Sequence, residues 1–125
     1  MKSLLTIILI LSSALGFGQE AEFSFEKTSW KFPKTHEGEI VSHYYVFKNT
    51  GKAPLIISSY VVECHCTEIK FPTYPIAPGA TDSLLLTFDT KGKYYNQERS
   101  VIISSNAKKK ETIIWFKGYV IPKED

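Results

Sequence analysis

Hydrophobic and polar residues alternate with a period of two along several short segments of this chain. Such alternation is typical of β-strands that bury one face and expose the other. The positions predicted to share a buried face are Val41, His43, Tyr45 and Phe47; Leu84, Leu86 and Phe88; and Ile114, Phe116, Gly118 and Val120. Further strands are predicted at residues 22–26, 55–62 and 101–104. Residues 55–62 lack clean alternation, which predicts a strand covered on both faces.

Turn-forming residues separate these segments. Residues 49–54 (NTGKAP) form a strong turn signal, in which Gly51 is free to take a positive φ. No long segment carries the 3.6-residue hydrophobic period of a helix. About seven short strands in roughly 100 residues predict an all-β, immunoglobulin-like antiparallel β-sandwich. A small β-barrel is the alternative.

The N-terminal residues have the features of an export signal. Lys2 supplies a positive charge, residues 4–11 form an apolar run interrupted only by Thr6, and Gly16 and Gly18 fit a cleavage site. The apolar run is too short to span a bilayer, which takes about 20 residues. We therefore expect residues 1–18 to be a signal peptide and residues 19–125 to be one domain without a membrane span. The expected location is the periplasm or the outside of the cell.

Charge and loop composition indicate the kind of partner. The 15 basic and 13 acidic residues nearly balance, which disfavours nucleic-acid binding. Tyr74, Tyr94 and Tyr95 fall in predicted loops, where tyrosines are either binding anchors or caps on the open ends of a sandwich. A free edge strand is another candidate surface, since it can accept a strand from a partner.

The only two cysteines lie in the motif Cys64-His65-Cys66. In an extended strand their Cα atoms would be roughly 6.6 Å apart, and a disulfide prefers roughly 5.5–6 Å, so a bridge needs a kinked backbone. Three interpretations are open: a local disulfide or buried thiols with a structural role, a soft-metal site, or a thiol redox pair. Among metals, Cu(I) suits Cys64, Cys66 and His65 best, because a closed zinc site needs four ligands.

No arrangement of residues typical of catalysis is visible in the sequence. No serine lies in a G-x-S-x-G elbow, and no pair of carboxylates stands out. His43 lies on a predicted core face, where a structural role is expected. His36 lies beside the Glu37-Gly38 turn and is expected to be solvated. We therefore expect no enzyme activity.

Three segments together resemble a known family of exported bacterial proteins, the domain of unknown function fifteen-seventy-three. They are residues 49–55 (NTGKAPL), 64–67 (CHCT) and 75–79 (PIAPG), supported by 37–39 (EGE) with Val41 and His43, by Phe88-Asp89 and by Ser105-Asn106. The resemblance covers most of residues 23–121. It implies an immunoglobulin-like sandwich similar to ASPM-SPD-2-Hydin, major sperm protein and pilus-chaperone domains, which are mostly non-enzymatic binding modules. This chain departs from the family with His65 between the cysteines, where glycine is common.

The expected function is therefore a non-catalytic, exported binding or structural module that mediates protein–protein contacts at the cell envelope. Its expected partner is an envelope or extracellular protein, and no cofactor is expected. The alternative is soft-metal (copper) binding or thiol redox chemistry at Cys64-His65-Cys66.

Overall fold

The alternating segments fold as β-strands, and the computed structural model describes residues 19–124. The predicted signal peptide lies outside these described residues. The strands are β1 (Phe23–Phe25), β2 (Ser29–Lys31), β3 (Thr35–His36), β4 (Ile40–Asn49), β5 (Ile57–Val62), β6 (Thr67–Lys70), β7 (Thr81–Asp89), β8 (Tyr95–Ser105) and β9 (Glu111–Ile121). None of the described residues is helical, so none forms a helix that could cross a membrane.

The strands form two sheets that face each other. The first sheet has the order β1-β4-β7-β6 and the second has the order β2-β9-β8-β5, with β3 also paired to β9. Neighbouring strands are antiparallel, except that β2 and β3 run parallel to β9. The chain crosses between the sheets after β1, β3, β4, β5 and β7. The predicted all-β, immunoglobulin-like sandwich is confirmed.

The core lies between the inner faces of the two sheets. Seven aromatic and aliphatic side chains on the predicted inward positions are buried, as the alternation predicts: Tyr45, Phe47, Leu84, Leu86, Phe88, Ile114 and Phe116. Every buried side-chain nitrogen or oxygen in residues 19–124 has a hydrogen-bond partner. The buried polar groups therefore carry no uncompensated desolvation cost.

Several details of the predicted strands were wrong. Residues 19–124 form nine strands where about seven were expected, because two of them, β2 and β3, are very short and are separated by Pro33. Strand β5 begins at Ile57, and it exposes Ser58, Ser59 and Val61, so it is not covered on both faces. Strand β8 begins six residues before Val101, in a polar stretch with no hydrophobic alternation to reveal it.

Gly51 does not adopt the positive φ that was open to it in the predicted turn. The glycines with positive φ in the described residues are Gly38, Gly79 and Gly92. Gly51 has a different requirement, because a Cβ atom there would overlap the backbone of Glu20. The turn thus needs glycine for the close approach of the N-terminal segment.

Candidate functional site

The Cys64-His65-Cys66 segment is the turn that leads from β5 in the second sheet to β6 in the first. Its two cysteines are joined in a disulfide, and their Cα atoms are 5.1 Å apart. The backbone is kinked, because the N–H of Thr67 donates to the carbonyl oxygen of Cys64 at 3.1 Å. The N–H of Asp89 donates to the carbonyl oxygen of Cys66 at 2.9 Å, which fixes the turn to the end of β7.

The surroundings of this turn bear on the metal hypothesis. Cys64 and Cys66 are partly buried, and His65 is exposed. Within residues 19–124, no three side chains of histidine, cysteine, aspartate or glutamate are grouped so that they could hold a metal ion. A Cu(I) ion at this turn would therefore depend on reduction of the disulfide and on the motif's own residues. Copper binding and thiol redox chemistry stay predictions.

His43 packs among aromatic rings on the inner face of β4. Its ring stacks on that of Trp30 with the centroids 4.6 Å apart, and it meets the ring of Tyr45 edge-on at 5.0 Å. Burial, followed by the positive charge of Lys27, lowers the pKa of His43. These contacts fit the expected structural role. His36 is exposed, as expected.

The three loop tyrosines do not form one surface. Tyr74 lies where β7 begins, and its hydroxyl group donates to Asp82 at 2.6 Å. Tyr94 and Tyr95 lie where β8 begins, at the opposite end of the sandwich, and Tyr95 contacts the ring of Tyr119. All three are at least half exposed, at 58%, 50% and 59%. The three tyrosines therefore lie at two opposite ends of the sandwich, and their role as binding anchors or as caps stays a prediction.

A broad cleft of about 590 Å³ lies beside the second sheet and is lined in part by Lys31, Lys34, Lys117 and Glu98. Its lining contains no histidine, cysteine or serine. The charged side chains of the lining are three lysines and one glutamate.

The outer face of the second sheet carries a row of apolar side chains that the sequence did not single out. Val61 on β5 is opposite Ile102 on β8, which is in turn opposite Ile113 on β9. Trp115 follows Ile113 on the same face, since alternate residues of a strand point to the same side. We call Val61, Ile102, Ile113 and Trp115 the outer band.

The outer band is exposed to solvent. The exposed fractions are 60% for Val61, 44% for Ile113 and 44% for Trp115, and Ile102 between them is partly buried. One indication of this face was present in the sequence, because apolar residues occupy both faces of the final predicted strand. That Val61 and Ile113 lie in one row follows only from the register of β5, β8 and β9, which could not be predicted from the sequence.

Residues 23–120 match one protein family over most of the chain, described as protein of unknown function (DUF1573). The chain belongs to this family. The resemblance of residues 49–55, 64–67 and 75–79 to the domain of unknown function fifteen-seventy-three is thereby confirmed. No curated protein matches the chain.

Solved structures with the same fold come from bacteria and from humans. A protein of unknown function from Porphyromonas gingivalis W83 has a TM-score of 0.71 at 17% identity, covering 82% of this chain and 48% of its own. The ASH/PapD-like domain 7 of human CEP192 has a TM-score of 0.63 at 13% identity, covering 84% and 89%. The Escherichia coli chaperone DraB has a TM-score of 0.55 at 10% identity, covering 82% and 56%. At these identities the likeness shows the fold, and this DUF1573 chain spans about half of the P. gingivalis protein.

Two of the DUF1573 segments meet around the buried side chain of Asn49. Its Oδ1 accepts hydrogen bonds from the N–H groups of Glu22 and Gly51, at 3.2 and 3.0 Å. Its Nδ2 donates to the carbonyl oxygens of Ala53 and Ile76, at 2.8 and 3.0 Å. Asn49 thus connects the N-terminal segment, the 49–55 turn and the 75–79 turn. This motif of the family has a structural role here.

Proposed function

We propose that this DUF1573 protein is an exported, non-catalytic binding module that contacts another protein through the outer band. The observation that carries the proposal is the apolar row itself. The outward side of a solvated antiparallel sheet is normally polar, and contiguous exposed apolar side chains are typical of interaction sites. Tryptophan is enriched among the residues that dominate binding energy.

The backbone holds the outer band rigidly. The N–H of Trp115 donates to the carbonyl oxygen of Thr28 at 2.7 Å, and the carbonyl oxygen of Trp115 accepts from the Tyr45 hydroxyl at 2.7 Å. Ile102 and Ile113 are held opposite each other by the β8–β9 ladder. A preformed surface of this kind loses little conformational entropy on binding.

Polar and charged groups surround the outer band. Glu98 on β8 and Lys117 on β9 lie opposite each other on one side. Glu63 lies next to Ser100. The hydroxyl and the N–H of Ser100 donate hydrogen bonds to the Glu63 carboxylate, which lowers its pKa and keeps it charged.

A shallow cavity of about 130 Å³ lies against Trp115. The partner that fits is a folded protein whose apolar surface, with one protruding side chain, is rimmed by charges of both signs.

Two further observations support export and the absence of catalysis. The Cys64–Cys66 disulfide fits an oxidising compartment, in agreement with the signal-like pattern of residues 1–18. The His43 ring packs against Trp30 and Tyr45, and Cys64 and Cys66 are bonded to each other. These contacts support structural roles for the three residues.

The test begins with capture of the partner from an envelope extract, using a purified 19–125 chain that contains all core residues described above. The captured protein is then purified and titrated against the native chain and against Trp115→Glu and Val61→Lys. Binding should be saturable, and each substitution should weaken it by about tenfold or more. Tyr94→Glu, an equally exposed aromatic position at the end of the sandwich, is the matched control and should bind normally.

Equal affinity of the two outer-band variants and the native chain would refute the proposed surface. Turnover of a substrate by the purified chain, abolished by a single substitution, would refute the non-catalytic role. Thermal unfolding of each variant shows whether weaker binding results from the altered surface or from an unfolded protein.

A further inference from the structure

One edge of the first sheet is left open because β1 is much shorter than β4. Strand β1 pairs only with residues 47–49 of β4. The N–H of Glu26 then donates to the carbonyl oxygen of Val46 at 3.0 Å, and the chain crosses to the second sheet. Within the described residues, nothing pairs with residues 40–45 on this side. We call residues 40–45 the open edge.

The direction of the backbone groups along the open edge follows from the existing pairs. Val46 accepts from Glu26 on this side, and Thr50 donates to Glu22 on the same side. Because backbone groups alternate in direction along a strand, the N–H and C=O groups of Ile40, Ser42 and Tyr44 point outward from the edge. These groups form a regular row of donors and acceptors.

The other edges of both sheets carry features that oppose strand addition. Strand β6 has only four residues and places Glu68 and Lys70 on its exposed face. Strand β5 has a register shift after Ile57, and Pro33 separates the short strands β2 and β3. Charges, bulges, prolines and short length are the usual means by which proteins protect sheet edges.

The open edge has none of these protections. The side chains of Ile40, Ser42 and Tyr44 lie on the solvent-exposed face of β4. The exposed fractions are 67% for Ile40 and 61% for Tyr44. An unprotected edge flanked by exposed apolar side chains is suited to pairing with another strand.

We propose that the open edge pairs with the open edge of a second copy of this chain, antiparallel and about a two-fold axis at Ser42. The surface is separate from the outer band, so this proposal does not depend on the proposed function. In this register Ser42 faces Ser42 of the second copy, and Ile40 faces Tyr44 twice. The outward N–H and C=O groups of Ile40, Ser42 and Tyr44 then form hydrogen bonds with the same groups of the second copy.

The open edge is its own complement, which is why the occupant is a second copy. Aromatic and β-branched side chains directly opposite each other are favourable cross-strand pairs, and the two-fold axis creates two of them from Ile40 and Tyr44. Closed two-fold pairing gives a dimer rather than a fibre.

The pairing is short, so the dimer should be weak and dependent on concentration, as is usual for small interfaces. Sedimentation of the purified 19–125 chain should show the apparent mass rising toward twice the monomer at concentrations up to about 1 mM. Tyr44→Lys should remain a monomer throughout. Tyr94→Lys, which changes a half-exposed tyrosine away from the open edge, should behave as the native chain does.

Covalent capture tests the register itself. Directly opposed, hydrogen-bonded residues of antiparallel strands have Cα atoms about 5.5 Å apart, which suits a disulfide. Ser42→Cys should therefore crosslink under mild oxidation at least about tenfold faster than Ser59→Cys on β5, with mass spectrometry locating the link between the two introduced cysteines. A native chain that remains monomeric at the highest concentration would overturn the proposal. So would equal crosslinking of the two cysteine variants, or a dimer that survives Tyr44→Lys.

Discussion

The hydroxyl group of Tyr45 on β4 donates a hydrogen bond to the backbone carbonyl oxygen of Trp115 on β9, across the sandwich, at 2.7 Å. The Tyr45 side chain is 1% exposed, so the bond forms in a medium where an unpaired hydroxyl would be costly. It connects the two sheets directly. It also fixes the backbone of the residue whose side chain is the largest member of the outer band.

Tyr45→Phe should therefore destabilise the protein although it keeps the ring. The carbonyl oxygen of Trp115 would lose this buried donor, which typically costs about 1–3 kcal/mol in the free energy of unfolding. Urea unfolding measures the difference. Tyr44→Phe, one residue earlier on the exposed face of β4, is the control and should change stability little. Identical stability of the Tyr45→Phe variant and the native protein would show that the hydrogen bond is not formed.

The same burial makes stability depend on alkaline pH. Burial raises the pKa of Tyr45 well above its ordinary value. Because the folded-state pKa is raised, this contribution to stability is complete below the unfolded-state pKa of about 10 and is lost as the pH rises above it. The free energy of unfolding of the native protein should fall above that pH. It should fall less steeply in Tyr45→Phe, and parallel pH profiles for the two proteins would contradict this account.

Asn49 should be the most sensitive polar position in the core. Asn49→Ala removes hydrogen bonds to four backbone groups of three segments, and among them the Ile76 carbonyl oxygen keeps a second donor, the N–H of Leu55. We expect a loss of about 3 kcal/mol or more. Asn106 provides a matched control, since its side chain also bonds two backbone groups but is exposed. Asn106→Ala should cost about 1 kcal/mol. Similar unfolding midpoints for the two alanine variants would contradict the role of Asn49.

The sequence predicted those elements whose signal is local. Leu84, Leu86 and Phe88 recur at the two-residue period of a strand, and they form the buried face of β7. The first half of β8 carries no such signal, because its polar residues gain their strand structure from pairing with β9. The same applies to β2 and β3, which are defined by their parallel pairing with β9.

The outer band and the open edge could not be predicted from the sequence, because both depend on how distant strands pair. Val61 and Ile113 are 52 positions apart along the chain, and only the register of three strands makes them part of one row. The open edge arises because β1 ends early beside β4. By contrast, the Cys64-His65-Cys66 motif could be recognised from the sequence alone, but its chemical role could not be predicted.

The cysteine turn can be tested by thiol titration of the native and the reduced protein. The native protein should show no free thiol, in accordance with the disulfide. Cys64→Ser combined with Cys66→Ser should lose only about 1–2 kcal/mol, because so short a loop restricts the unfolded chain little. Free thiols in the purified native protein would contradict the disulfide.

Anaerobic titration of the reduced protein with Cu(I) tests the alternative function. A site at the motif would bind one Cu(I), and His65→Ala would weaken it. If the reduced native chain binds Cu(I) no more tightly than the double serine variant does, the copper hypothesis fails.

A direct comparison of the outer band with the cysteine turn tests the central claim. The purified partner is titrated against the native chain, the Trp115→Glu variant and the double serine variant of Cys64 and Cys66, each first shown to be folded by thermal unfolding. We expect Trp115→Glu to weaken binding by about tenfold or more, and the double serine variant to bind as the native chain does. Undiminished binding by Trp115→Glu, together with loss of binding in the double serine variant, would contradict the account and place the function at the cysteine turn.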